Sequence, residues 1–249
     1  MPKRLEKKAD GAAEIGAPIS EIFFSYQGEG PYAGMAQIFI RFAGCNLRCN
    51  YCDTPQGFIK NPEIFSVERL IKKVLSVRDN NKKKFNTKKP YISLTGGEPL
   101  LHIIFLRKFL AEITKLGFNI YLQSNGVLCE SLKQIIKFVD IISMDIKLYS
   151  ACKLDFLTAH KLFLSYALRS RIKDIFVKCV ITKDTEGIEI LEAAKAISTI
   201  SKSVLFILQP STDRRAAGLD KLFICREIAV KFLKNVYPMA QLHKIYKVR

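Results

Sequence analysis

The chain has 249 residues, 49% hydrophobic and 25% charged, with 40 Lys and Arg against 23 Asp and Glu for a net charge of +17. That composition is ordinary for a globular protein and excludes a collagen-like, coiled-coil or wholly low-complexity chain. The longest apolar runs are strand-length, far short of the roughly 18 residues a membrane helix needs. The polar opening segment holds no apolar core of a secretory signal, so a cytoplasmic location is expected, with no membrane as partner. The positive charge raises a nucleic-acid hypothesis. The lysines, however, are spread over the whole chain, and the one dense block, residues 78–89, reads as a solvated loop. Nucleic acid is therefore not the expected partner.

Residues 1–18 are polar and charged and read as a flexible tail, which leaves 19–249 as a single domain. Beyond the tail, short apolar runs alternate with amphipathic stretches. A strand is predicted over 37–42, then a helix over 67–77 with Ser66 as its N-cap. The next pairs are a strand at 91–94 with a helix at 100–116 stopped by Gly117, and a strand at 119–122 with a helix at 131–138. Strands at 141–144 and 175–181 follow, each with a helix, at 160–169 and 186–198, and the series ends with a strand at 204–208 and a helix at 219–234. Six alternations of strand and helix argue for a parallel sheet with right-handed crossovers. A partial barrel and an open sheet both fit six such units, and in either one chemistry collects at the carboxyl ends of the strands.

The unusual residues fall at those ends. Cys45, Cys49 and Cys52 follow the first strand, and Thr95-Gly96-Gly97-Glu98-Pro99 the second. Gln123-Ser124-Asn125-Gly126 follows the third, Asp145-Ile146-Lys147 ends the fourth, and Gln209-Pro210-Ser211-Thr212 ends the sixth. One polar loop means little, but five together suggest one converging site. The cysteine count is seven, which is odd, and three sit within eight residues, so metal or cluster ligation is favoured over a disulfide framework. The other four, Cys129, Cys152, Cys179 and Cys225, read as small buried apolar residues. Thiolates are soft ligands for zinc or iron–sulfur clusters. Three of them, with no fourth Cys or His nearby, leave an open coordination position. The alternative is a zinc site completed by a distant residue.

The spacing Cys45-x3-Cys49-x2-Cys52, with GGEP after the second strand, resembles the radical S-adenosylmethionine (SAM) superfamily. The resemblance implies a six-stranded, TIM-like partial parallel barrel. It also implies a 4Fe-4S cluster on the three cysteines, with SAM bound at the remaining iron. A narrower resemblance rests on Tyr26-Gln27-Gly28-Glu29-Gly30, on residues 41–47 (RFAGCNL), on Cys52-Asp53-Thr54 and on the closing Gln241-Leu242-His243-Lys244. These are similar to the 7-carboxy-7-deazaguanine synthase family, over roughly residues 20–249. For that family the implied reaction begins with reductive SAM cleavage and hydrogen abstraction from C6 of 6-carboxy-5,6,7,8-tetrahydropterin. Ring contraction with loss of ammonia then gives 7-carboxy-7-deazaguanine, a queuosine and deazapurine precursor.

By the same resemblance, Tyr26, Gln27, Gly28, Arg41, Thr95 and Arg249 would bind substrate, and Thr54 would hold Mg²⁺. Gly97, Asp145, Ile146, Lys147, Gln209, Pro210, Ser211 and Thr212 would line SAM. No catalytic side chain beyond these is implied. An electron donor such as a flavodoxin and a homodimer would be the partners. QSNG stands where Glu-Thr is usual, and Met144-Asp145 where Ser-Pro often precedes the lysine.

Read from chemistry alone, Gly28 and Gly30 permit close backbone approach to a planar ligand, and Gln27 and Glu29 suit an amide edge. Arg41, in an apolar strand, needs an anion, either a substrate carboxylate or an internal partner. Thr54 is a hard oxygen of the kind Mg²⁺ accepts. Two rival readings are a glycyl-radical-activating enzyme, sharing cluster and GGEP, and a basic nucleic-acid-binding protein with a structural metal.

Overall fold

In the computed structural model, residues 15–52, 62–84 and 90–247 are described. Thr54 and Arg249 lie outside them. All six predicted strands form: β2 (Ala36–Phe42), β4 (Tyr91–Gly96), β5 (Asn119–Ser124), β6 (Ile141–Ile146), β7 (Asp174–Ile181) and β8 (Leu205–Pro210). They pair in parallel in chain order. Three further strands extend them. β1 (Gly16–Tyr26) runs antiparallel to β2, and β3 (Glu63–Ser66) antiparallel to β1. β9 (Val236–Pro238) adds a seventh parallel strand beside β8. The order is β3-β1-β2-β4-β5-β6-β7-β8-β9, and no pairing between β3 and β9 closes the ring among the described residues. The barrel is partial, with more strands than the six expected. The expected tail is also too long, because residues 16–18 already belong to β1.

The helices follow the predicted order with shifted ends: α1 (Val67–Asn80), α2 (Ile103–Ile113), α3 (Cys129–Ile135), α4 (Tyr149–Cys152), α5 (Leu157–Arg169), α6 (Gly187–Ser198), α7 (Leu219–Ala229) and α8 (Leu242–Ile245). Ser66 caps α1 by accepting from the Arg69 N–H, 3.3 Å away. α1 also takes in residues 78–80 of the block read as a loop. The helix expected from residue 100 begins as a 3-10 turn, Pro99–His102, because Pro99 sits at its first position. α6 opens with a reciprocal capping box between Glu186 and Glu189. α7 stops short of residue 234, where the Lys234 N–H bonds the Lys202 carbonyl at 2.8 Å and the chain enters β9.

Strand alternation sorts side chains into two environments. Ile38, Ile40, Leu94, Leu122, Ile142, Val177 and Phe206 point outward and join Leu70, Phe109, Leu132, Phe163 and Ile190 of the helices in the main core. Fully burying each such side chain contributes roughly 1.5–3 kcal/mol. The inward residues form a separate cluster low in the barrel: Tyr91, Tyr121, Ile141, Phe176 and Ile207. The β1–β2 connection enters the barrel from below and packs on this layer. Gly30 takes φ +66°, and a Cβ there would sit 2.8 Å from the Phe176 ring, so only glycine fits. Tyr32 donates to Asp174 Oδ2 at 2.7 Å and anchors the plug at the barrel floor.

Candidate active site

Two residues further along the same inward faces, the lumen turns polar. Gln123 follows Tyr121, Lys178 follows Phe176, and Gln209 follows Ile207. These residues, with Thr95 and Asp145, line a cavity of about 690 Å³ at the carboxyl ends of the strands. The same cavity is lined by Tyr26, Gln27, Gly28, Arg41, Cys45, Cys49, Cys52, Gly97, Lys147, Ser211 and Thr212. The structure thus gathers nearly every described residue that the sequence singled out. Of the described residues expected to hold the cluster, SAM or substrate, Ile146 and Pro210 are the exceptions. Ile146 packs in the outer core, and neither side chain lines the cavity, since β-alternation aims both away from it.

The cysteine loop is welded to the GGEP turn. The Gly97 N–H bonds the Phe42 carbonyl and the Glu98 N–H bonds the Gly44 carbonyl, both at 2.8 Å. A Cβ on Gly97 would fall 1.8 Å from the Gly44 oxygen, so this approach demands glycine. Glu98 is fully buried. Its carboxylate accepts from Leu100 N (3.0 Å), Ser124 Oγ (3.1 Å) and Asn125 N (2.8 Å). Burial pushes its pKa up to about 7 against those hydrogen bonds. Asn125 donates in turn to Asn46 Oδ1 at 2.8 Å, which ties the end of β5 to the cysteine loop. His160 lies behind Asn125, with Nε2 3.1 Å from its carbonyl. Burial lowers its pKa to about 4, so at neutral pH the ring is uncharged and Nε2 donates.

Cys45 is raised by burial. Cys49 is held down to about 6, first by a hydrogen bond from Cys152, with Lys147 assisting against burial. Cys152 lines up with Cys49 at 3.3 Å between sulfurs, which corrects its reading as one more packing residue. Cys179 and Cys225 are indeed buried, while Cys129 is half-buried. His102 is no ligand to the cysteines: it stacks on Phe42, and its Nε2 lies 3.0 Å from the Ala43 carbonyl.

A chain of charges crosses the cavity floor. Lys147 Nζ contacts Asp145 Oδ2 at 2.9 Å, Asp145 Oδ1 lies 3.3 Å from Lys178 Nζ, and Lys178 pairs closely with Glu29. Burial opposes the charge on both lysines. The carboxylates outweigh it, Asp145 for Lys147 and Asp145 with Glu29 for Lys178, and both lysines are raised above their ordinary value. Glu29 also accepts from Gln209 (3.3 Å) and Gln241 (2.6 Å), and Thr212 donates to Gln241 at 3.0 Å. The Glu29 carboxylate therefore faces protein groups rather than standing open for an amide edge. Gly28 and Gly30 likewise face the chain itself: a Cβ on Gly28 would meet His243 at 2.3 Å, and Leu242 N donates to the Gly28 carbonyl at 2.8 Å. Arg41 has an internal partner, with Nε 3.2 Å from Glu21 Oε2, but that buried nitrogen lacks hydrogen-bond geometry.

Lys178 is the main residue sequence reasoning missed. It carries the same signal that marked Arg41, one cation inside an apolar strand (IFVKCVI). Glu21, Tyr51 and Asn46 had no comparable mark.

The three cysteines fit an iron–sulfur cluster. They are soft donors on one loop, open to one cavity, beside a turn that only glycine allows. No three His, Cys, Asp or Glu side chains among the described residues are gathered for a single metal ion. A cluster spreads its thiolates over separate irons, so that spacing suits it better than zinc.

Residues 39–153 match the family model of the radical SAM superfamily, so cluster loop, GGEP turn and partial barrel define a radical SAM enzyme, a class that implies a 4Fe-4S cluster and SAM. The chain is 34% identical to the 7-carboxy-7-deazaguanine synthase of Geobacter sulfurreducens, over 92% of this chain and 96% of that protein. It is 36% identical to that of Methanocaldococcus jannaschii, over 91% and 98%. The chain belongs to the 7-carboxy-7-deazaguanine synthase family. Its fold is similar to the crystal structure of QueE from Escherichia coli, with a TM-score of 0.60 at 21% identity over 92% of this chain and 95% of that one.

Proposed function

We propose that the chain converts 6-carboxy-5,6,7,8-tetrahydropterin to 7-carboxy-7-deazaguanine and ammonia, a step toward queuosine or a related deazapurine. The observation that carries this reading is the single cavity: its lining joins the cysteine loop to the Gln27, Arg41 and Thr95 side chains. When bound, the 4Fe-4S cluster and SAM supply the 5′-deoxyadenosyl radical that removes hydrogen from C6. The ammonia lost carries away the one nitrogen that the contracted ring no longer needs, so no external oxidant enters the balance.

The chain's own residues bind, orient and screen. Cys45, Cys49 and Cys52 hold the cluster. Gly97, Asp145, Lys147, Gln209, Ser211 and Thr212 face SAM. Gln209 supports that role with a buried Oε1 that has no donor among the described residues, an acceptor for an amino or hydroxyl group. Arg41, Gln27 and Thr95 take the pterin, whose carboxylate competes with Glu21 for the guanidinium. Thr54 and Arg249 complete this reading from sequence resemblance, Thr54 holding Mg²⁺ against the substrate. A flavodoxin-like donor and a homodimeric assembly belong to the same reading.

The deciding experiment is anaerobic turnover of the reconstituted protein with SAM, reductant and the carboxylated tetrahydropterin. A product with the mass of 7-carboxy-7-deazaguanine is expected from the parent and none from Cys49→Ala. SAM cleavage that leaves the pterin unchanged would refute the substrate.

A further inference from the structure

Cys152 is placed with more care than a packing residue needs. It ends α4, a single turn in which Ala151 N and Cys152 N both bond the Leu148 carbonyl, at 3.1 and 3.2 Å. Lys153 then adopts φ +58° and closes the turn with a 2.7 Å bond from its N–H to the Tyr149 carbonyl. The turn is tied to α6 by Glu189, whose Oε1 accepts from Ser150 N at 2.6 Å. It is also tied to the cysteine loop itself. Asn50, the residue after Cys49, donates its backbone N–H to the Ala151 carbonyl (3.0 Å) and its side-chain amide to the Ser150 carbonyl (3.1 Å). Between these two bonds and the buried Ala151, the sulfur of Cys152 is held 3.3 Å from that of Cys49.

A thiolate bound to iron has no proton to give. In a pair of sulfurs where one is a ligand, the other must be the donor. Hydrogen bonds to cluster sulfurs stabilise the more negative, reduced state and raise the reduction potential.

We propose that Cys152 is a positioning residue for the cluster: its S–H donates to the Cys49 sulfur and makes the cluster easier to reduce. The proposal rests on the cluster reading of Cys45, Cys49 and Cys52. It adds a fourth cysteine that ligates nothing.

The test is an anaerobic potentiometric titration, followed by the electron paramagnetic resonance of the reduced cluster, on the parent, Cys152→Ala and Cys152→Ser. Iron and sulfide are quantified on the same samples. The expected result is equal iron and sulfide in all three, a midpoint potential shifted negative in Cys152→Ala, and recovery toward the parent value in Cys152→Ser, which keeps a donor. An unchanged midpoint in Cys152→Ala would overturn the proposal, as would a shift that serine does not reduce. Loss of iron from the alanine variant would overturn it too, because Cys152 would then be a ligand or a folding residue. A parent without iron and sulfide would instead refute the cluster reading, and so the two failures are distinguishable.

Discussion

The two halves of the barrel lumen are built by the same strands and the same inward faces, yet they do opposite work. Below, Tyr91, Tyr121, Ile141, Phe176 and Ile207 make a sealed aromatic and aliphatic layer, capped by Gly30 and Tyr32. Above, one alternation step along β5, β7 and β8, the residues become Gln123, Lys178 and Gln209 and the lumen opens into the cavity. The lower half supplies burial free energy with few polar groups to satisfy. The upper half holds buried carboxylates, ammonium groups and amides whose desolvation is offset only by one another. The lower layer sets where the floor of the cavity lies, and the upper layer lines that cavity at a cost in stability.

Substitutions one step apart on β7 separate the halves most strongly. Phe176→Ala should cost about 3–5 kcal/mol in chemical denaturation, through the cavity it leaves, while SAM affinity of the folded fraction stays at the parent level. Lys178→Met should cost about 3 kcal/mol, because Glu29 and Asp145 lose the buried ammonium that pairs with both of them. Unlike Phe176→Ala, it should also abolish SAM binding. Equal loss of SAM affinity in both variants would show that the halves are not separable.

A smaller effect, on the order of 1–3 kcal/mol, is expected for Glu98→Gln. Its amide can accept from Leu100 and Ser124 through one atom, but it turns an N–H₂ toward the Asn125 N–H. The same residue gives the upper half a pH dependence. Glu98 is raised to about 7 from 4.5, so its contribution to stability is present below about pH 4.5 and is lost as pH rises toward 7. His160 is lowered to about 4 from 6.5, so its contribution is present above about pH 6.5 and is lost as pH falls toward 4. The two oppose each other over the same window. Denaturation midpoints of the parent should therefore be nearly level between about pH 4.5 and 6.5. Those of Glu98→Gln should fall toward acid, and those of His160→Gln should fall as pH rises. Parallel profiles in all three proteins would contradict the assignment.

The least disruptive change lies at the barrel floor. Tyr32→Phe removes one hydrogen bond to Asp174 and should cost about 1 kcal/mol. Turnover should be untouched, measured as kcat with saturating SAM.

Much of this was legible in the sequence, for identifiable reasons. The six parallel strands announce themselves as apolar runs because their outer faces are all covered by helices. β1 and β3 were not legible: β1 sits where a polar tail grades into GAPISEIFFSY, and β3 is four residues long. β9 is three residues long, too short to interrupt a helical reading. The cysteine loop and GGEP stood out because cluster chemistry needs fixed spacing along one loop. Lys178, Glu29 and Gln241 meet across the barrel from β7, the β1–β2 connection and the last segment. Spacing in one chain does not report such contacts. The partner of Arg41 shows the same limit. Glu21 faces it only because β1 pairs with β2 in the register Glu21↔Arg41, and β1 was not expected.

The central claim is that one cavity holds SAM and the pterin together, with C6 within reach of the deoxyadenosyl group. The most direct measurement uses substrate deuterated at C6 in anaerobic turnover, with mass analysis of the 5′-deoxyadenosine released. The account predicts deuterium in the 5′-deoxyadenosine and its loss from that carbon of the product. Unlabelled 5′-deoxyadenosine formed alongside deuterated, unconverted pterin would contradict it.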